Sequence, residues 1–271
     1  MTQQLDMFPL GELPANYLKT PVATCINTIL KKDIEEPYVI VPDLLVSGEA
    51  TMYAALAGGA KTYTMQYLAA CVATGSSFLG MPAAKPLRVV IVDGELSEIQ
   101  IQQRFSKLFN YLGVHPQDGF LTIIHKKSYP NGLPDLSKPE GYEEIRPELE
   151  LADAVFLDNL SALYRDDEEL IQNDWNYYNS SLDELRNAGK AVFVLHHTDK
   201  ASTNYRGHSE IARAIDNAFI AVKDNKQSND FKTVIRVKRP KSRNGAAGEE
   251  FLKFEFGSDS VTGEFFFQKL I

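Results

Sequence analysis

Three almost uninterrupted apolar runs constrain this chain more than any other feature: Leu87 to Asp93 (Leu-Arg-Val-Val-Ile-Val-Asp), Ala154 to Asp158 (Ala-Val-Phe-Leu-Asp) and Ala191 to His196 (Ala-Val-Phe-Val-Leu-His). A strand with one wet face alternates polar and apolar residues. A strand that is apolar at successive positions is buried on both faces, as in a parallel sheet covered by helices. Helical periods separate the runs. Ile101, Phe105, Leu108 and Leu112 follow the first, with Ser97 and Gln100 spaced as a capping box, and Ile171, Trp175, Tyr178, Leu182 and Leu185 follow the second. An earlier strand, Met52 to Ala55, runs through Ala57-Gly58-Gly59-Ala60 into a helix carrying Met65, Leu68 and Val72 and stopped by Gly75.

Leu121 to Ile124 adds a short strand, and His125 to Glu140 reads as a loop. Beyond the polar stretch Thr198 to Ser209, four β-rich segments follow: Ala218 to Val222, Thr233 to Lys238, Phe251 to Phe256 and Gly263 to Phe267. The order predicts an α/β fold with a mostly parallel central sheet, flanking helices and a C-terminal antiparallel extension. At 271 residues with 44% hydrophobic and 24% charged content, a full core is available, and disordered, collagen-like and coiled-coil classes are excluded. Residues 1–36 read as a tail and a lead-in helix, with Thr20 as N-cap, Pro21 at the first helical position, and Val22, Ile26 and Ile29 at helical spacing. Residues 37–271 read as the main domain. Two cysteines, Cys25 and Cys71, rule out a disulfide scaffold and are expected to be buried thiols. With no leader-like or membrane-spanning run, the expectation is a cytoplasmic protein without a membrane partner. A net charge of −8 argues against a nucleic-acid binder that uses its whole surface, though not against a local basic channel.

Lys61 and Thr62 stand where a strand passes through a small-residue turn into a helix. Free backbone N–H groups and the positive helix end favour phosphate there, and in a phosphate loop the lysine reaches the β and γ phosphates while the hydroxyl holds Mg²⁺. The G-x-x-x-x-G-K-[ST] template places glycines at positions 55 and 60, where this chain has Ala55 and Ala60. Each methyl sits where the backbone must wrap an anion or adopt an unusual dihedral, and an ordinary turn before a helix remains the alternative. Glu95 and Asp158 both emerge at the C-terminal edge of the sheet, where α/β proteins bind ligands. Asp158 suits an acid that organises Mg²⁺ through water, and Glu95 one that polarises an attacking water; either could instead cap the next helix, and Asp93 fits a cap best. His196 and His197 end the next strand on the same edge. Because adjacent residues alternate across a strand, only one of them can face a phosphate.

Arg236, Lys238, Arg239, Lys241 and Arg243 place five cations within eight residues, on a strand end and the loop after it. A second basic segment comprises Lys200, Arg206 and Arg213. Both can track a nucleic-acid backbone, and a solvated hairpin is the plainer alternative for the first. The acidic run Asp166 to Glu169 suits a helix start.

Taken together, these motifs resemble the RecA-type ATPase core of ring-forming replicative helicases, above all the RepA-like group of plasmids and phages, over residues 40 to 270. Ala57 to Tyr63 falls on the phosphate loop. Val92-Asp93-Gly94-Glu95 is similar to the strand end with the catalytic glutamate, and Arg104 to an arginine beside the base. Phe156-Leu157-Asp158-Asn159-Leu160-Ser161 is similar to the Walker B segment, and Val194 to Lys200 to the strand with a γ-phosphate-sensing polar residue, taken as His196. Tyr205-Arg206-Gly207-His208-Ser209 resembles the channel loop, and Lys241-Ser242-Arg243 a Lys-x-Arg element that enters the neighbouring subunit's ATP site. The resemblance implies a RecA-like P-loop ATPase with ATP and Mg²⁺ as cofactors, with Thr62 and Asp158 at the metal. It implies Glu95, Lys61, Asp158, His196, Lys241 and Arg243 in catalysis, and Ala57, Gly58, Gly59, Ala60, Lys61, Thr62, Tyr63 and Arg104 around the nucleotide. Lys200, Arg206 and Gly207 would contact single-stranded DNA in a hexameric ring that works with initiator or primase proteins. An ATP-switched regulatory protein on the same core, without unwinding activity, is the alternative.

Overall fold

The computed structural model describes residues 24–164, 172–199, 201, 213–243 and 247–270. The chain divides into two compact units, Met1–Glu36 and Pro37–Ile271. In the first, the described residues hold one short helix, α1 (Ile26–Ile29), with no buried side chain. Cys25, expected inside, is exposed; Cys71 is buried. Thr20, Pro21 and Val22 lie outside the described residues.

In the second unit, a two-stranded antiparallel sheet, β1 (Val39–Val41) and β2 (Leu45–Val46), precedes a nine-stranded one. The large sheet is built from β3 (Ala50–Ala55), β4 (Val89–Asp93), β5 (Leu121–His125), β6 (Ala154–Asp158), β7 (Ala191–His197), β8 (Asn217–Lys223), β9 (Lys232–Ser242), β10 (Gly248–Ser258) and β11 (Phe265–Lys269), in the order β11-β10-β9-β8-β3-β7-β6-β4-β5. The six strands from β8 to β5 are parallel, and β9, β10 and β11 extend the sheet in antiparallel fashion. This is the predicted α/β architecture, with strand ends that differ from the sequence reading by a few residues.

Alternation along the strands sorts the core into two layers. Val89 and Ile91 of β4, Phe156 of β6, and Phe193 and Leu195 of β7 pack with α2 (Lys61–Thr74) and α3 (Glu98–Leu112), through Met65, Leu68, Val72, Phe105 and Leu108. Their neighbours Val90, Val92, Val155, Leu157, Val192 and Val194 face the other way. They meet Tyr142, Ile145 and Leu149 of α4 (Pro139–Leu151), Leu160 and Leu163 of α5 (Leu160–Leu163), and Tyr178, Leu182 and Leu185 of α6 (Gln172–Asn187). The sequence reading holds no helix at α4, and the loop expected through Glu140 ends earlier, at Lys138. Pro147 inside that helix obscures its period, while the apolar stripe at 142, 145 and 149 still packs inward.

Helix α2 is buried around nearly its whole circumference because the antiparallel extension covers its outer side. Tyr67 stacks on Phe267 at 4.2 Å between ring centroids, and Tyr63 on Phe256 at 5.5 Å. The capping box of α3 forms as expected, the Ser97 backbone N–H donating to Gln100 Oε1 at 3.0 Å. No helix among the described residues is long and apolar enough to cross a membrane.

Candidate functional site

The C-terminal ends of β3, β4, β6 and β7 lie side by side, with Ala55 opposite His197 and Asp93 opposite Asp158. The turn after β3 leads directly into α2, so residues 57–60, Glu95 and His197 surround one cleft of about 410 Å³. That volume is in the range of a small-molecule site. Strand parity decides which side chains look into it. Asp93, Asp158 and His197 share parity with Ile91, Phe156 and Leu195, which pack on the α2 face, whereas His196 shares the parity of Val194 on the opposite face.

Ala60 adopts φ 62 and ψ 16, the left-handed conformation, at the residue where the template has glycine. A non-glycine residue in that well costs roughly 1–2 kcal/mol. Gly59 has no alternative: a Cβ there would come 2.8 Å from the Leu56 carbonyl oxygen and 2.9 Å from the Ala55 Cβ, the other methyl that replaces a template glycine. The loop thus folds into a tight turn ahead of α2 despite the two alanines.

Lys61 is buried and turns back onto its own loop. Its Nζ donates to the carbonyl oxygens of Ala55 and Leu56, both at 3.2 Å, and lies 3.3 Å from His197 Nδ1. An ammonium only donates, so Nδ1 accepts and the imidazole proton resides on Nε2. Burial lowers the Lys61 pKa, against the pull of Asp158 and Glu95, which raise it. His197, not His196, therefore stands at the phosphate loop; His196 is buried and points to the other face.

Asp158 is fully buried and neither carboxylate oxygen meets a hydrogen bond of normal geometry. Burial raises its pKa to about 7, Asp93 and Glu95 add to the rise, and the Thr62 hydroxyl and Lys61 oppose it. A buried carboxylate beside a hydroxyl and a lysine has the chemistry of a water-mediated Mg²⁺ site. Thr62 and Asp158 therefore fit that ion. Asp93 serves its own turn, its Oδ1 accepting from the N–H groups of Glu95 and Leu96, both at 2.8 Å. Burial raises its pKa as well.

The Glu95 carboxylate is exposed to the cleft and held from one side, where Asn159 Nδ2 donates to Oε1 at 2.5 Å. The sequence reading carried Asn159 only as a member of its segment. At the far end of the cleft the Arg104 guanidinium lies 5.0 Å from the Tyr63 ring centroid. Tyr63 in turn stacks on Phe256, and Thr233 completes the wall. Phe256 and Thr233, from the antiparallel extension, escaped the sequence reading because only strand pairing brings them there.

The basic cluster is divided by strand geometry. β9 extends through Ser242, so Lys241 lies in the strand and not on a loop. Arg236 pairs with Asp224 at 2.8 Å, Arg239 with Asp43 at 3.0 Å and Arg243 with Asp216 at 2.9 Å. Burial lowers the Lys241 pKa, and Arg243 adds to this. Ser242 pairs with Asn217, which pairs with Thr51 at the start of β3, so Lys241 and Arg243 sit at the edge of the sheet opposite the phosphate loop. Along β3 that is about 15 Å at the usual strand rise. Lys200, Arg206, Gly207 and the acidic run Asp166 to Glu169 lie outside the described residues.

The AAA domain family matches residues 19–203. Among solved structures, the chain is similar to a KaiC-like protein of Pyrococcus horikoshii, with TM-score 0.55 and 11% identity over 86% of this chain and 94% of that one. It is similar also to the flagellar accessory protein FlaH of Methanocaldococcus jannaschii, with TM-score 0.55 and 12% identity over 83% and 90%. At these identities the likeness shows a shared α/β fold with a mostly parallel central sheet. A comparison with curated proteins finds no match.

Proposed function

Because the chain belongs to the AAA domain family, we propose that it binds and hydrolyses ATP at the cleft and completes that site only in a ring of copies. The observation that carries this reading is the position of Lys241 and Arg243. They stand at the sheet edge remote from their own phosphate loop, which supports a role toward the nucleotide of a neighbouring copy. Lys61 and the loop amides hold the phosphates, Tyr63, Arg104 and Phe256 hold the base by stacking, and Glu95 orients the attacking water. His197 takes the phosphate-sensing role that the sequence reading gave to His196, because it touches Lys61. Thr62 and Asp158 would hold Mg²⁺, which would supply neutralisation of phosphate charge. A cation delivered from a neighbour is worth about 10³–10⁵ in rate in other phosphoryl-transfer enzymes.

The specific activity we propose is that of a replicative DNA helicase of a plasmid, phage or mobile element, a cytoplasmic hexamer moving on single-stranded DNA. The order of the six sequence motifs supports it. The second reading is an ATP-switched regulatory protein without unwinding activity. It is favoured by the basic cluster, where Arg236, Arg239 and Arg243 are each already engaged by an aspartate and the local field is correspondingly weak. ATP turnover at low salt, with and without single-stranded DNA and across protein concentrations, separates the two. A motor is expected to speed up with both DNA and concentration, and a switch with concentration alone. Turnover independent of protein concentration refutes the shared site.

A further inference from the structure

We propose that Asn159 is a positioning residue that sets the Glu95 carboxylate for water attack, an inference that rests on the reading of Glu95 as the residue orienting that water. Asn159 is 1% exposed and sits at the N-cap of α5. Its Oδ1 accepts from the Ala162 N–H at 3.2 Å, which fixes the plane of the amide. The only remaining polar group, Nδ2, then faces Glu95 and donates to Oε1 at 2.5 Å. The opposite amide orientation would set two acceptors against each other, so this arrangement is determined by chemistry.

The surrounding turns are built to bring the two residues together. Gly94 N–H donates to the Asp158 carbonyl at 2.7 Å, joining the turn after β4 to the turn after β6. A Cβ on Gly94 would come 2.7 Å from the Ala162 Cβ, so only glycine permits this approach. Asp93 Oδ1 holds the backbone N–H of Glu95 at 2.8 Å. The main chain of Glu95 is thus fixed by Asp93 and its side chain by Asn159. A glutamate side chain has three rotatable bonds, and one rigid donor at its tip restricts the direction of the second oxygen of a residue that lines the cleft.

The test compares Asn159→Ser, Glu95→Gln and the double variant in the full chain, measuring turnover and the affinity for a fluorescent ATP analogue with Mg²⁺. Serine retains the capping acceptor but is too short to reach Glu95. Asn159→Ser is expected to lower kcat about 10- to 100-fold, the scale on which a misplaced group costs rate, while the affinity stays within about twofold. Added to Glu95→Gln, the same change is expected to cost nothing further. Asn159→Asp also preserves the cap and sets a second carboxylate against the first; its kcat is expected to fall below that of the serine variant. Parental turnover in Asn159→Ser alongside an inactive Glu95→Gln overturns the proposal and leaves Asn159 as a helix cap. Equal losses from Asn159→Ser in both backgrounds overturn it as well. Parental turnover in Glu95→Gln removes the role of Glu95 itself, a different failure that is read directly from the single variant.

Discussion

Replacing Asp158 by asparagine should make the nucleotide-free chain more stable even though it removes a residue proposed to serve the metal. The carboxyl is fully buried, neither oxygen has a normal hydrogen bond, and its pKa stands near 7 in place of the ordinary 3.8. A folded-state pKa above the unfolded one means that the folded chain keeps the proton longer. Native stability therefore declines as pH rises from about 4 to about 7 and levels off above that. At about 1.4 kcal/mol per pH unit, the fully ionised group costs the fold at most about 4 kcal/mol. An asparagine at this position has the same shape without the charge. The advantage of Asp158→Asn over the parent is then expected to be under about 1 kcal/mol at pH 4.5 and roughly 2–4 kcal/mol at pH 8.

The assay is urea unfolding of both proteins at the two pH values, with chelator and without nucleotide. Saturating Mg²⁺ and ATP should narrow the difference at pH 8. Ligand at 100 times its Kd stabilises the parent by about 2.7 kcal/mol, and the variant, lacking the metal-organising acid, gains less. An advantage of equal size at pH 4.5 and pH 8, or a variant less stable than the parent at pH 8, would refute the account of Asp158 as a carboxylate whose ionisation burial opposes.

Ala60→Gly should relieve the left-handed strain while losing some backbone entropy, for a net gain of about 0.5–1 kcal/mol by denaturant midpoint, with ATP affinity equal or higher. Arg104→Ala should weaken binding of ATP about 5-fold or more through the loss of its stacking on Tyr63. Inorganic triphosphate, which has no base, should bind the variant as it binds the parent. Gly94→Ala should cost at least about 1–3 kcal/mol in stability, because the added methyl overlaps Ala162 where two turns meet.

The order of residues alone dictates which segments form the buried strands, because a strand covered on both faces must be apolar at successive positions and few other structures demand that. It also places the phosphate loop, the capping box at Ser97 and Gln100, and the acids and histidines at the strand ends, since all are local in the chain. Parity with Leu195 even held the signal that His197 and not His196 faces α2, but reading it requires knowing which layer covers which face. Everything else waits on the folded sheet. The left-handed turn at Ala60 is imposed by the join between β3 and α2, against the residue's own preference. Asn159 reaches Glu95 across 64 residues of chain, Arg239 pairs with Asp43 across 196, and Phe256 meets Tyr63 only because the antiparallel extension folds over α2. Such pairs leave no mark in hydrophobic periodicity. Their energy depends on distances and burial that exist only after the sheet has formed, and they convert a list of charged residues into a cleft at the strand ends, a set of arginines paired with aspartates and a carboxylate held by an asparagine.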